Sequence, residues 1–181
     1  MRPLFIVLLI AIPSLSLQAQ SVKETKSWIV DKLTRYQQEV YGGKLSPCES
    51  YTQNYGFSFK FKKDTLIVGF NVRVLYPPCY TGDKVKEAKN YAKKSTVKIP
   101  VADISEVTSI SRNFETKLMI STKRQTIRVI AVYADSTAQG YTNLMFVGVN
   151  FGTEDRLLER LQEAFNHLRS FYPERKRSDL F

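Results

Sequence analysis

The stretch Thr153 to Tyr172, TEDRLLERLQEAFNHLRSFY, narrows what this chain can fold into more than any other. Leu157, Leu158, Leu161, Ala164, Phe165, Leu168, Phe171 and Tyr172 follow one another at spacings of one, three and four. This gathers them on one stripe of a helix and leaves Glu159, Arg160, Glu163 and Asn166 on the other side. The pattern predicts a last helix capped by Thr153, with Glu154 and Asp155 at its positive end, Arg169 at its negative end and Pro173 stopping it. Burying the stripe is worth roughly 10–20 kcal/mol gross, at about 1.5–3 kcal/mol per large side chain, as an upper bound. A helix of this kind needs a sheet to cover.

The first residues do not belong to that fold. Arg2 is followed by an unbroken apolar run, Leu4 to Ile12, then Pro13 and SLSLQAQ. This reads as a secretory signal peptide over residues 1–19, since the run is too short to span a bilayer. Cleavage after Ala19 or after Ser16 both remain open. No later segment is apolar enough to cross a membrane, so the expectation is a soluble periplasmic or extracellular protein. An oxidising compartment favours a disulfide between Cys48 and Cys79, the only cysteines. That bridge closes a loop of about 30 residues and adds roughly 3–4 kcal/mol by chain entropy.

From Ser21 the chain predicts a helix to about Tyr41. Ser21 and Glu24 have capping-box spacing, and Ile29, Leu33, Tyr36 and Val40 recur beside Trp28. Trp28 is expected to pack on the sheet or across its open end, with ligand stacking as the functional alternative. After Gly42 and Gly43 the period becomes two. Phe57, Phe59 and Phe61 alternate with Ser58, Lys60 and Lys62, the KKDT turn follows, and Thr65 to Leu75 turns Val68, Phe70, Val72 and Val74 inward. Gly69 marks a bulge or a close approach. Tyr76 to Ser95 is a long insertion rich in lysine. Strands resume at Thr96–Ile104, where Pro100 suggests an edge or a bulge, then at Val107–Arg112, Lys117–Thr122, Thr126–Tyr133 and Asn143–Phe151. Ala134 to Tyr141 reads as a polar loop. The result is one α+β domain over residues 21–173, followed by a basic flexible tail at 174–181.

A count of helix, about seven antiparallel strands and helix favours an open barrel or a bent sheet in two layers, with the last helix as its cap. The alternative is a cystatin-like sheet wrapped on one helix. Two stretches, KIPVADISEV and MFVGVNFGTEDRLLERLQEAFNHLRSFY, carry a further likeness. Over about residues 55–172 the chain resembles a pleckstrin-homology-like (PH-like) domain, with the N-terminal helix and the Cys79 insertion as additions. Through SLQAQ it is also similar to small secreted proteins of Bacteroidetes-type bacteria to which no activity is assigned. The phosphoinositide-binding members of the superfamily use a basic K-x-K-type motif on the first hairpin. Lys60, Lys62 and Lys63 match it loosely, and the ligand itself is not carried over to an exported protein.

Candidate chemistry is sparse. His167, the one histidine, sits at the margin of the helical stripe and reads as a packing or helix-end residue. No G-x-S-x-G elbow and no phosphate-cradling glycine loop occurs. Asp103, Glu106, Glu115 and Asp135 are scattered, and Asp103 is expected to cap a turn. With two cysteines and one histidine a structural zinc site is not expected, and no cofactor is. The formal charge of +10 leans toward anionic partners, with solubility as the plain alternative. Lys84, Lys86, Lys89, Lys93, Lys94 and Lys98, interleaved with tyrosines, form the candidate anion-binding region.

The leading expectation is a non-catalytic binding or scaffold domain with an unknown protein or peptide partner, taken by strand addition beside the last helix. The alternative is a binder of anionic lipid headgroups or glycans at an envelope surface, through the insertion at 84–98. Nucleic acid is not expected as a partner, and neither is an enzymatic activity.

Overall fold

In the computed structural model, residues 21–42, 51–75, 92–112 and 115–172 are described. The leader, Cys48, Cys79, Pro173 and the basic tail lie outside them. The element order is α1 (Val22–Arg35), β1 (Val40–Gly42), β2 (Tyr51–Lys62), β3 (Thr65–Leu75), β4 (Lys94–Pro100), β5 (Ile104–Arg112), β6 (Glu115–Thr122), β7 (Ile127–Val132), β8 (Thr137–Thr142), β9 (Leu144–Gly148) and α2 (Leu157–Ser170). The strands form two antiparallel sheets, one in the order β1-β2-β3-β4-β7-β8 and the other β5-β6-β9. Among the described residues no strand pairing closes them into a barrel. The chain enters the smaller sheet with β5 and β6, returns to the larger one for the β7–β8 hairpin, and leaves from β9.

The alternation in the sequence sets the inner faces. Phe57 and Phe59, Leu66, Val68 and Phe70, and Val97 and Ile99 are buried from the large sheet, and Val107, Leu118, Ile120 and Val147 from the small one. Both helices press on this core, α1 with Ile29 and Leu33, α2 with Leu157, Leu161, Phe165 and Leu168. The buried stripe of α2 is narrower than the sequence suggests: Leu158 and Ala164 are half-buried and Phe171 is exposed.

Several expectations are corrected. The first helix ends at Arg35 rather than near Tyr41, because the next residues extend and pair with the end of β9. The Gln38 amide donates to the Gly148 carbonyl at 3.0 Å, and the Asn150 amide to the Tyr36 carbonyl at 2.8 Å. Val40 is buried as expected, but on β1. The last helix starts at Leu157, after Arg156 in the left-handed region at φ 53°. Thr153 ends a 3-10 turn, Phe151–Thr153, whose cap is the Asn150 side chain accepting from the Gly152 amide at 3.1 Å.

The expected strand at Thr96–Ile104 breaks at Pro100 into a 3-10 turn, Val101–Asp103. β4 is not an edge strand. Its pairing with β7 stops at Lys98, so Pro100 removes no ladder bond on that side. The bulge lies not at Gly69 but opposite it, between Tyr55 and Ser58, where Gly56 has φ +61°. Gly69 is the close approach: a Cβ there would stand 2.7 Å from Ser58 Oγ. The polar loop expected at Ala134–Tyr141 is mostly β8; together with β1 it brings the strands among the described residues to nine rather than about seven.

Candidate functional site

Directly opposed residues in an antiparallel sheet point to the same side, so the strand registers define the outer face of the large sheet. One row runs Lys60, Ile67, Lys98, Arg128, Tyr141 across β2, β3, β4, β7 and β8. The next runs Ser58, Gly69, Thr96, Ile130, Gln139, and a third Tyr55, Asn71, Lys94, Val132, Thr137. Charged outward positions on these strands are all cationic: Lys60, Lys62, Arg73, Lys94, Lys98 and Arg128. Among the described residues Lys60, Lys62, Lys94 and Lys98 have no acidic partner.

Two of these cations are held in place. Arg73 lies over the Tyr55 ring at 5.0 Å, donates to Gln53 and approaches Glu39 at 3.9 Å. Gln53 is buried and donates in turn to Glu39 and, at 2.9 Å, to the Tyr41 hydroxyl. Arg128 donates through Nη2 to Gln139 Oε1 at 2.5 Å. Its Nε is buried without a hydrogen-bond partner among the described residues.

The edge of this sheet is the second feature. β8 is its last strand, and no described strand covers its outer side. Its sequence, TAQGYT, carries no charge and no proline, and all but its last residue are exposed. The β7–β8 hairpin closes with the Tyr133 amide donating to the Ser136 carbonyl at 2.9 Å. Antiparallel pairs alternate between bonded and non-bonded, so Ala138, Gly140 and Thr142 spend their backbone groups on β7. The N–H and C=O groups of Thr137, Gln139 and Tyr141 therefore point away from the sheet, into the open. The edge beside α2 is different. There Gln162 Nε2 already donates to the Val107 carbonyl of β5 at 2.8 Å.

The candidates named from the sequence are dispersed. Lys84, Lys86 and Lys89 lie outside the described residues, as do Cys48 and Cys79. Lys93 and Lys94 are exposed, and Lys98 is half-buried on the outer face beside Arg128. Trp28 is half-buried, with Arg160 5.2 Å and Lys32 5.7 Å from its ring, so cations of α1 and α2 occupy the positions a stacked ligand would take. His167 meets Phe171 edge-on at 4.9 Å. Asp103 does not act as the expected cap through Oδ2, which is buried without a hydrogen-bond partner among the described residues. Glu106 and Asp135 are exposed on β5 and in the β7–β8 turn, on different sheets. Among the described residues no three His, Cys, Asp or Glu side chains gather as metal ligands. No described helix is long and apolar enough to cross a membrane.

Sequence reasoning missed Arg73, Arg128, Tyr141 and the β8 edge. For the two arginines the signal was present, as the outward positions of NVRV and IRVIAV. It also gave Glu154 the wrong task. Glu154 Oε2 accepts from Lys32 Nζ at 2.6 Å and from the Tyr36 hydroxyl at 2.8 Å, while Oε1 accepts from Arg160. The Lys32 and Tyr36 hydrogen bonds, followed by the nearby positive charges of Lys32 and Arg160, hold its carboxyl below the usual range. Glu154 thus ties α1 to α2 rather than serving a helix dipole.

Compared with known protein families, curated proteins and solved structures, the chain matches none at a significant level.

Proposed function

We propose that this chain is a non-catalytic binding domain that takes an extended peptide as an additional strand on the outer edge of β8. The observation that carries the reading is the six-residue edge itself: exposed, uncharged, free of proline, and with the backbone groups of Thr137, Gln139 and Tyr141 directed outward. Natural sheets usually blunt such edges with lysine, proline or a covering loop. An edge left in this condition is suited to main-chain recognition, in which backbone bonds supply affinity and alternate side-chain positions supply selectivity.

The same proposal includes the PH-like relationship. Its support is the passage from β9 through a 3-10 turn into a last helix that packs on β5, on α1 and on the Val101–Asp103 turn. β1 and the β7–β8 hairpin are then additions to that plan. Export through residues 1–19 and the Cys48–Cys79 disulfide are also part of the proposal, supported by the Leu4–Ile12 run and the single cysteine pair.

The test is selection of binders from a phage-displayed library of random linear peptides, followed by Gln139→Pro. Proline there removes an outward N–H and no backbone bond to β7; of the contacts to β7 it takes away only the side-chain Oε1 that accepts from Arg128. Selected peptides should bind the variant roughly ten- to a hundredfold more weakly, the effect of about 1–3 kcal/mol. Undiminished binding by a folded variant places recognition elsewhere.

A further inference from the structure

We propose that the outer face of the large sheet is a trough for an acidic linear polysaccharide, distinct from the β8 edge and independent of the peptide reading. The floor is the middle row, where Ser58, Gly69 and Thr96 follow one another across β2, β3 and β4. A Cβ at Gly69 would meet Ser58 Oγ at 2.7 Å, so glycine keeps the floor low there, with the Ser58 hydroxyl lying over it and donating to the Gly69 carbonyl at 3.4 Å. Longer side chains stand on both sides: Lys60, Lys98 and Arg128 along one wall, Asn71 and Lys94 along the other. With strands about 4.8 Å apart, the first wall spans roughly 15 Å from Lys60 to Arg128.

This combination matches one chemistry. Cations at intervals suit a polymer that carries its negative charges at intervals. Hydroxyls on the floor suit its neutral hydroxyls. Tyr141, 61% exposed at the end of the Lys98–Arg128 row, offers a ring to the apolar face of a sugar. The Arg128 guanidinium is oriented by Gln139, and a planar guanidinium is suited to a carboxylate. An anionic bilayer fits less well, because docking to it calls for protruding apolar side chains rather than a recessed polar floor. Single-stranded nucleic acid calls for stacking rings along the floor, and this floor has none.

The experiment is calorimetric titration of the full chain with polygalacturonate oligosaccharides at physiological salt, with phosphatidylglycerol vesicles as a parallel arm. The expected result is binding of the oligosaccharide, weakened about tenfold or more in the Lys60→Gln/Lys98→Gln double variant. Thr96→Phe fills the floor without changing charge and should produce a loss of similar size. Ser58→Gln, at an exposed position, fills it a second way should Thr96→Phe fail to fold. Thr137→Pro, which removes an outward N–H of the β8 edge and no group assigned to the trough, should leave oligosaccharide binding in place, which separates this trough from the peptide edge. Three results would overturn the proposal: no binding of the oligosaccharide by the folded chain, binding that persists in folded floor-filling variants, or binding to vesicles alone.

Discussion

Gly148→Ala probes the joint on which the two-sheet arrangement depends. Gly148 ends β9 where the chain leaving α1 crosses it, and its backbone conformation is not left-handed. The reason for glycine is space. A Cβ would stand 2.1 Å from the Gln38 carbonyl oxygen, 2.9 Å from its carbon and 2.8 Å from Val40 Cγ2. Two of these atoms are backbone, so relief requires the segment Tyr36–Gln38 to lift. Overpacking of this kind costs about 1–3 kcal/mol. Lifting the segment also weakens the two backbone hydrogen bonds that hold it, Gln38 to Gly148 and Asn150 to Tyr36, at about 0.5–1.5 kcal/mol each. The sum, about 2–6 kcal/mol, corresponds to a fall in Tm of roughly 5–25 °C for a domain of this size. Thermal and urea melts of the chain measure it. Gly140→Ala is the control: a Cβ there meets nothing within 4 Å, so its Tm should stay near that of the parent. Equal stability of the two variants would refute the placement of the α1–β1 connection against β9.

Other outcomes follow from the same contacts. Phe165 is fully buried on α2, so Phe165→Ala should lower stability by about 3–5 kcal/mol in a urea melt, and Phe165→Asp should abolish the cooperative transition. The Glu154 carboxyl titrates below its ordinary value of 4.5, so its stabilising effect is complete above that pH and is lost as pH falls through the lower, folded value. Glu154→Gln should therefore lower Tm near neutrality and flatten its decline in acid, as read by melts across pH. A titration of the unreduced protein with a thiol reagent should find no free thiol if Cys48 and Cys79 are bridged, and two if they are not.

What the sequence made legible follows the strength of its periodicities. The α2 stripe and the Phe57–Phe59 and Val68–Phe70 alternations appear on buried faces, because each places large apolar side chains at a repeating interval. The ends of elements were read less well. Val40 continues the helical spacing of Ile29, Leu33 and Tyr36, yet belongs to a strand, because pairing with β9 and β2 outweighs one more turn of helix. Thr153, Glu154 and Asp155 have the composition of a helix start, but Glu154 is drawn to Lys32, far away in sequence. β8 left no signal, since an edge strand with nothing to bury on either side has no apolar alternation. The basic face was visible strand by strand, in SFKFK, in VKI and in IRVIAV. Its assembly depends on β7 returning to pair with β4, a long-range connection that local pattern does not encode.

Backbone amide hydrogen exchange across β8, resolved by NMR, tests the account most directly. The amides of Ala138, Gly140 and Thr142, bonded to β7, should exchange slowly, while those of Thr137, Gln139 and Tyr141 exchange fast and become protected when a selected peptide binds. Uniformly fast exchange through residues 137–142, or protection of all six in the free protein, would contradict an open edge strand at this position.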